Sequence, residues 1–276
     1  MSKLFCAAML VIAGTCASFA QTASGPSASN MPANVAAPEA IKDLAPTGTL
    51  RAAINISDIV LAQPDPAGGT ARGITVDLAP ELARRLGLPI ALVVFPSAGR
   101  MTDALTAGVW DIAFLANEPA RAAVIDFSPP YLLIEGTYMV PVGSPLHTIA
   151  EVDRAGVRIA VARGSAYDLY LTRAIKNATL VRYPTARLAV SQFVPDGLEV
   201  VAGVKKLLLR FAEANPNVRV MDGRFHVIEE AIGTPRGRTI GMPYLRSFIE
   251  EMKATGFVTQ ALERNDQPEA TMAPPN

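Results

Sequence analysis

Beyond residue 49 the apolar positions fall into short runs whose spacing alternates between that of a strand and that of a helix. Leu50 to Ile56 forms one strand-like run. From Asp77 to Leu86, Leu78, Leu82 and Leu86 recur four apart with Ala79 and Ala83 beside them, and Gly87 follows as a stop. That spacing places the apolar groups on one helix face. Pro80 is expected in the first turn, where its missing N–H costs little. Pro89 to Phe95 is a continuous apolar stretch suited to a buried parallel strand. Met101 to Ala107 reads as a short helix and Trp110 to Leu115 as another buried strand. The order β-α-β-α-β is that of a parallel sheet covered by helices.

A second series begins after Pro145. Val157, Ile159 and Val161 alternate in a strand that ends at Arg163-Gly164, and a helix follows from Ala166 to Ala174. Leu180 to Tyr183 and Leu198 to Val204 read as strands, with helices over Ala186 to Phe193 and Lys205 to Ala214. Pro243 to Lys253 and Gly256 to Arg264 read as two closing helices divided by Gly256. Two α/β units followed by a helical segment predict two lobes with a cleft. In open α/β sheets ligands gather beyond the carboxyl ends of the strands, which places the chemistry there.

The two ends follow other patterns. Lys3 precedes an uncharged apolar stretch from Leu4 to Ile12, and Ser18-Phe19-Ala20 sets small residues at the positions a signal peptidase inspects. This predicts a signal peptide over residues 1–20 cut after Ala20. The apolar stretch is shorter than the roughly 20 residues of a membrane-spanning helix. Ala13-Gly14-Thr15 before Cys16 is a poor setting for a lipid anchor, so export in soluble form is expected. Residues 21–48, rich in Ala, Pro, Ser and Asn, read as a flexible leader, and the polar, Pro-rich residues 266–276 as a disordered tail.

Composition narrows the chemistry. Cys6 and Cys16 both lie in the export segment, so the mature chain has no disulfide, thiolate nucleophile or cysteine metal ligand. The 25 basic and 25 acidic residues balance, and no basic tract suggests a nucleic-acid partner. No metalloprotease helix, nucleophile elbow or phosphate-binding glycine loop is present. His147 and His226 read as structural or surface residues. No catalytic residue, metal or cofactor is expected.

Several spaced motifs carry a resemblance. Leu50-Arg51, Gly73-Ile-Thr-Val-Asp77-Leu78-Ala79, Gly108-Val-Trp-Asp111 and Arg121 through Asp126-Phe127-Ser128-Pro-Pro-Tyr131 resemble the first lobe of polar-amino-acid solute-binding proteins of ABC transporters. Val157 to Val161 with Arg163-Gly164-Ser165 resembles the opening strand and ligand loop of the second lobe. Lys253-Ala-Thr-Gly256-Phe-Val resembles the closing helix pair. The resemblance implies an α/β, two-lobed type 2 periplasmic-binding-protein fold with two hinge crossings. Lobe 1 would comprise residues 49–135 plus 229–265, and lobe 2 residues 136–228.

It also implies roles. Arg121 stands where the family places the arginine that grips the ligand's carboxylate, and a guanidinium suits that task because it binds a carboxylate with two prongs. On its residues alone it reads as a surface arginine starting a helix, and the resemblance reverses that reading. Gly164, Ser165, Ala166 and Tyr167 form the loop that would hold the carboxylate's other side, through N–H groups and a hydroxyl. Ser165 also reads as a helix N-cap. Asn55, Asp58, Asn117, Glu118 and Arg100 occupy further cleft positions.

The pattern departs from the family at three places: Ala116 replaces a hydroxyl residue, the stacking aromatic near Arg100 is absent, and Val204 stands where an acid usually pairs with the ligand's ammonium. A valine accepts no hydrogen bond, and a buried unpaired ammonium is costly. The ligand's amine is therefore absent, modified, or recognised from the first lobe by Asp58 or Glu118.

The implied function is the periplasmic substrate-binding component of an ABC uptake system. It would be a monomer binding a small carboxylate-bearing polar solute, amino acid or amino-acid-like, and partnering a membrane permease. Two alternatives are a dehydratase-like enzyme acting on cyclic carboxylates with Glu118 or Asp58 as its acid-base group, and a sensory module with a degenerate cleft.

Overall fold

A computed structural model describes residues 36–65, 67–69 and 71–276. The export segment, its cleavage point and the first part of the leader lie outside the described residues. In chain order the first elements are α1 (Pro38–Leu44), β1 (Leu50–Asn55), α2 (Ile74–Leu86), β2 (Ile90–Phe95), α3 (Ala98–Asp103), β3 (Ile112–Ala116), α4 (Pro119–Ala122), β4 (Ile125–Phe127) and β5 (Leu132–Pro141). There follow β6 (Arg158–Ala162), α5 (Ala166–Ala174), β7 (Thr179–Tyr183), α6 (Ala186–Gln192), β8 (Val200–Val204), α7 (Lys205–Ala214) and β9 (Val218–Val220). The chain closes with β10 (His226–Pro235), α8 (Met242–Ala254), α9 (Phe257–Arg264) and β11 (Thr271–Met272).

The strands form one curled mixed sheet along the path β2-β1-β3-β10-β5-β8-β6-β7, with β4 on β10 and β9 and β11 on β5. Its two ends are parallel units. Strand β1 lies between β2 and β3, and β6 lies between β7 and β8, as the alternating helix and strand periods require. Strands β5 and β10 join the units. They pair antiparallel from Gly136↔His226 to Leu132↔Glu230. The rest of β10 then pairs with β3 and β4, and the rest of β5 with β8 and β9. These two long strands are the crossings of the type 2 periplasmic-binding-protein fold.

Helix α2 shows how local sequence seats the first unit. Leu78, Leu82, Leu86, Ala79 and Ala83 are all buried, as their spacing predicts. The helix begins earlier than expected, at Ile74, because Gly73 takes a φ of 140° that other residues rarely adopt. A Cβ on Gly73 would stand 2.7 Å from Ala62 Cα. Pro80 therefore lies inside the helix, not in its first turn. Its ring is on the exposed face, where water can satisfy the carbonyl left without a donor. The closing helices return to this unit, with Arg85 paired to Glu251 at 2.8 Å and Arg264 to Asp77 at 3.2 Å.

Both ends are more ordered than their composition suggests. The expected leader contains α1, whose Leu44 is fully buried, and Asp43 accepts the Gly241 N–H at 2.8 Å before α8. The expected disordered tail instead adds β11 to the edge of β5, buries Ala273 completely, and leads Gln267 Nε2 to the Ile59 carbonyl at 3.0 Å. Polar, Pro-rich segments read as free chain because they bury little, yet a few anchored side chains and one strand pairing suffice to order them. No described helix is long and apolar enough to cross a membrane. Leu44→Ala should lower the unfolding free energy by about 2–5 kcal/mol, as for other fully buried leucines, measured by denaturant titration.

Candidate functional site

The carboxyl ends of β1, β3, β6 and β8 converge on one cavity, whose wall includes Asn55, Ala116, Ala162 and Val204. Its volume is about 40 Å³, room for roughly three water molecules. Of the residues expected in the cleft, Asn55, Asp58, Arg121, Ser165, Ala166 and Tyr167 line it. Gly164, Asn117, Glu118 and Arg100 do not. Arg100 and Asn117 are exposed to solvent, and Gly164 stands at the closed rim.

Arg121 comes from the one-turn helix α4, which starts at Pro119 after the end of β3. It is 2% exposed, so the surface reading does not hold. Its Nη1 donates to the Ala116 carbonyl at 3.0 Å, and its Nη2 reaches across to the Gly164 carbonyl at 2.9 Å. Nε is buried without a partner. Burial pushes the guanidinium pKa down, and the carboxyls of Glu230 and Glu118 partly offset it. Arginine's ordinary pKa is so high that it stays charged.

The loop expected to offer free N–H groups is partly committed. The Gly164 N–H donates to Asp168 Oδ2 at 2.8 Å and the Ser165 N–H to the Ala162 carbonyl at 3.1 Å. Ser165 Oγ accepts the Asp168 N–H at 3.1 Å, which makes it the N-cap of α5. The N–H groups of Ala166 and Tyr167 belong to the first helical turn, where no intrahelical carbonyl is in reach. They are the backbone donors that this loop has left.

On the opposite side the loop after β1 is tied to itself. Asn55 Oδ1 accepts the Ser57 N–H at 3.0 Å and the Ser57 hydroxyl at 2.8 Å, while Asp58 Oδ1 accepts the Val60 N–H at 3.0 Å. A further acid enters the cavity from β10: Glu230, 4% exposed, with Oε2 unpartnered. The sequence reading missed it. The available signal was its place between Ile228 and Ile232, the inward positions of a strand whose Glu229 faces solvent. Burial raises both carboxyls, Asp58 to about 6 and Glu230 to about 8, and the Asp58 charge adds to the rise of Glu230.

Glu118 is turned away from the cavity. Its carboxylate meets Arg173 Nη2 of α5 at 2.7 Å and lies 3.2 Å from His226 Nε2, whose ring stacks on Tyr170 with centroids 4.1 Å apart. Burial opposes its ionisation, but the His226 and Arg173 contacts outweigh this and hold its pKa below the ordinary carboxyl value. The two parallel units thus touch at the rim through Glu118 and Arg173, and through Arg121 and Gly164. They touch again where Gly99 meets Gly164: a Cβ on Gly99 would lie 2.7 Å from the Arg163 carbonyl, and one on Gly164 2.8 Å from Gly99 Cα. Only hydrogen fits between these backbones.

Two outcomes follow from this geometry. Gly99→Ala should disfavour the closed arrangement by about 1–3 kcal/mol, the usual cost of overpacking, read as a larger radius of gyration in small-angle scattering. The second concerns pH. The folded chain keeps protons on Asp58 and Glu230 up to about 6 and 8, whereas the unfolded chain releases them near the ordinary 3.8 and 4.5. Fewer protons bound in the unfolded state means that stability falls as pH rises. The melting temperature of the ligand-free protein should therefore decline from about pH 5 to about pH 8, and Glu230→Gln should flatten that decline.

The profile of the bacterial extracellular solute-binding proteins, family 3, matches residues 62–265. Among solved structures, the solute receptor for L-cysteine of Neisseria gonorrhoeae aligns with a TM-score of 0.73 at 20% identity, covering 85% of this chain and 99% of the receptor. A mutant of ArgBP from T. maritima gives 0.70 at 21% identity, covering 82% and 98%. An ancestral amino acid-binding protein, a precursor of cyclohexadienyl dehydratase, gives 0.69 at 20% identity, covering 81% and 98%. The fold is common to all three, and the profile match runs from just before α2, through the second parallel unit, to the closing helices. The protein belongs to the bacterial extracellular solute-binding proteins, family 3.

Proposed function

We propose that the protein is the periplasmic substrate-binding component of an ABC uptake system, exported by cleavage after Ala20 and acting as a monomer. It captures a small carboxylate-bearing solute, an amino acid or a close analogue, and hands it to a membrane permease. The lobes are residues 49–135 plus 229–265 and residues 136–228, turning about β5 and β10. The observation that carries this reading is Arg121, a buried guanidinium that faces the cavity, with Nε unpartnered and Nη2 bonded across the closure. Opening the lobes breaks the bond to Gly164 and frees Nη2. Nε and Nη2 then present a two-pronged donor edge matched to a carboxylate.

The Ala166 and Tyr167 N–H groups would meet the same carboxylate from the second lobe. One anion then holds both lobes, and its binding energy favours closure because the open form offers half the donors. Solved structures of this fold named for arginine and L-cysteine support an amino-acid-like solute.

A dehydratase-like reading draws on one observation, the buried Glu230 carboxyl in the cavity, whose burial favours the protonated form that could serve as an acid. Turnover separates the two readings. A binder saturates at one ligand per chain and returns it unchanged, as mass spectrometry of the recovered ligand would show. Arg121→Ala should weaken binding by about 2–5 kcal/mol, the range for truncating one side of a buried charge pair, while circular dichroism remains native. Undiminished affinity in calorimetry would refute the carboxylate site.

A further inference from the structure

Two arginines line the cavity, the buried Arg121 and the solvent-exposed Arg163, together with two acids, Asp58 and Glu230. Arg121 makes no ion pair with either among the described residues, and its terminal nitrogens are turned to backbone carbonyls. Val204, at the end of β8, gives the second unit's wall only methyl groups. Glu230 enters from the crossing strand β10 with Oε2 buried and unpartnered, so an acceptor is already present inside the cavity. Leaving such an oxygen unmet costs free energy, and a cationic nitrogen is the partner that offsets it best. Asp58 stands in the same wall with one oxygen on the Val60 N–H.

We propose that Glu230, assisted by Asp58, receives the α-ammonium group of the ligand, so that the solute is an amino acid recognised at both its charged ends. This rests on the carboxylate reading of Arg121. It moves ammonium recognition from the end of β8 to the crossing strand. The ligand carboxylate then faces the Arg121 guanidinium, and its ammonium faces the carboxyl pair.

A proton is displaced in the exchange. Around Glu230 stand Asp58, Arg121, Glu118 and Tyr131, and around Asp58 stand Glu230, Tyr131 and Tyr167. Burial is the largest influence and favours the neutral carboxyls in the ligand-free cavity; the acids add to it at Glu230, and Arg121 opposes. An arriving ammonium favours the ionised pair, so a carboxyl O–H gives its proton to the buffer as the ligand enters. Affinity should then rise with pH between about 6 and 8, by up to ten-fold per pH unit for one released proton.

The test is isothermal titration calorimetry with glycine, L-alanine, L-cysteine, L-lysine and L-arginine, each beside the same acid lacking its α-amino group. Runs in buffers of different ionisation heat count the protons. At least one amino acid should bind at least ten-fold more tightly than its deaminated partner, with proton release, and Glu230→Gln should cut both that ratio and the release. Asp58→Asn, read the same way, keeps the test decisive if Glu230→Gln does not fold.

Equal, Arg121-dependent binding of both partners would overturn this assignment and leave the carboxylate reading intact. A preference and proton release that survive in the folded Glu230→Gln protein would also overturn it, by placing the acceptor elsewhere. If neither class of acid binds, both readings fall together.

Discussion

A guanidinium withdrawn from water must be met by oxygen atoms, and the arrangement around Arg121 follows from that demand. The end of β3 supplies one carbonyl and the loop after β6 supplies another, so the side chain is satisfied from both parallel units at once. Closure therefore has an electrostatic component. Separating the units would strip Nη2 of its partner and return part of the cost of burying the charge. The Gly99 and Gly164 contact makes this approach sterically feasible, since a side chain at either position would hold the backbones apart before the hydrogen bond formed.

The polar cavity is set within a largely apolar frame. Phe114, Tyr131, Ile228 and Ile232 pack in or beside the first unit's core, and the low dielectric they create keeps Asp58 and Glu230 protonated above the usual carboxyl range. Tyr131, whose hydroxyl is buried without a partner, is pushed in the same direction. The same burial that favours the neutral carboxyls lowers the pKa of Arg121, whose ordinary value leaves it charged. A cavity with one buried permanent cation and two adjustable acids can match a ligand's charge by releasing protons.

The rim works differently from the interior. Glu118, Arg173 and His226 pair near solvent, with Arg173 42% exposed, so water screens their attraction and each contact is weak. Their value lies in position, because Glu118 follows β3, Arg173 ends α5 and His226 begins the crossing strand β10. Glu118 was a reasonable cleft candidate from its place three residues before Arg121. Its backbone turns the chain into α4, however, and the α4 geometry sends the two side chains in different directions.

Periodicity and turn chemistry were sufficient for the two parallel units, the helix over Leu78 to Leu86 and the closing pair, because apolar spacing is a local property of the chain. The spaced motifs carried the family and the place of Arg121. Local pattern could not show Glu230 in the cavity, since its neighbours Ile228 and Ile232 mark an inward face without saying what lies across from it. Nor could composition reveal that α1 and β11 dock onto the body, where a few long-range contacts outweigh a polar, Pro-rich context. The sequence alone determined the elements, their order and the charged residue types available to a cleft. Tertiary structure decided which of those residues meet, because burial, the two-strand crossing and the glycine contact bring together side chains more than a hundred positions apart, such as Arg121 and Glu230.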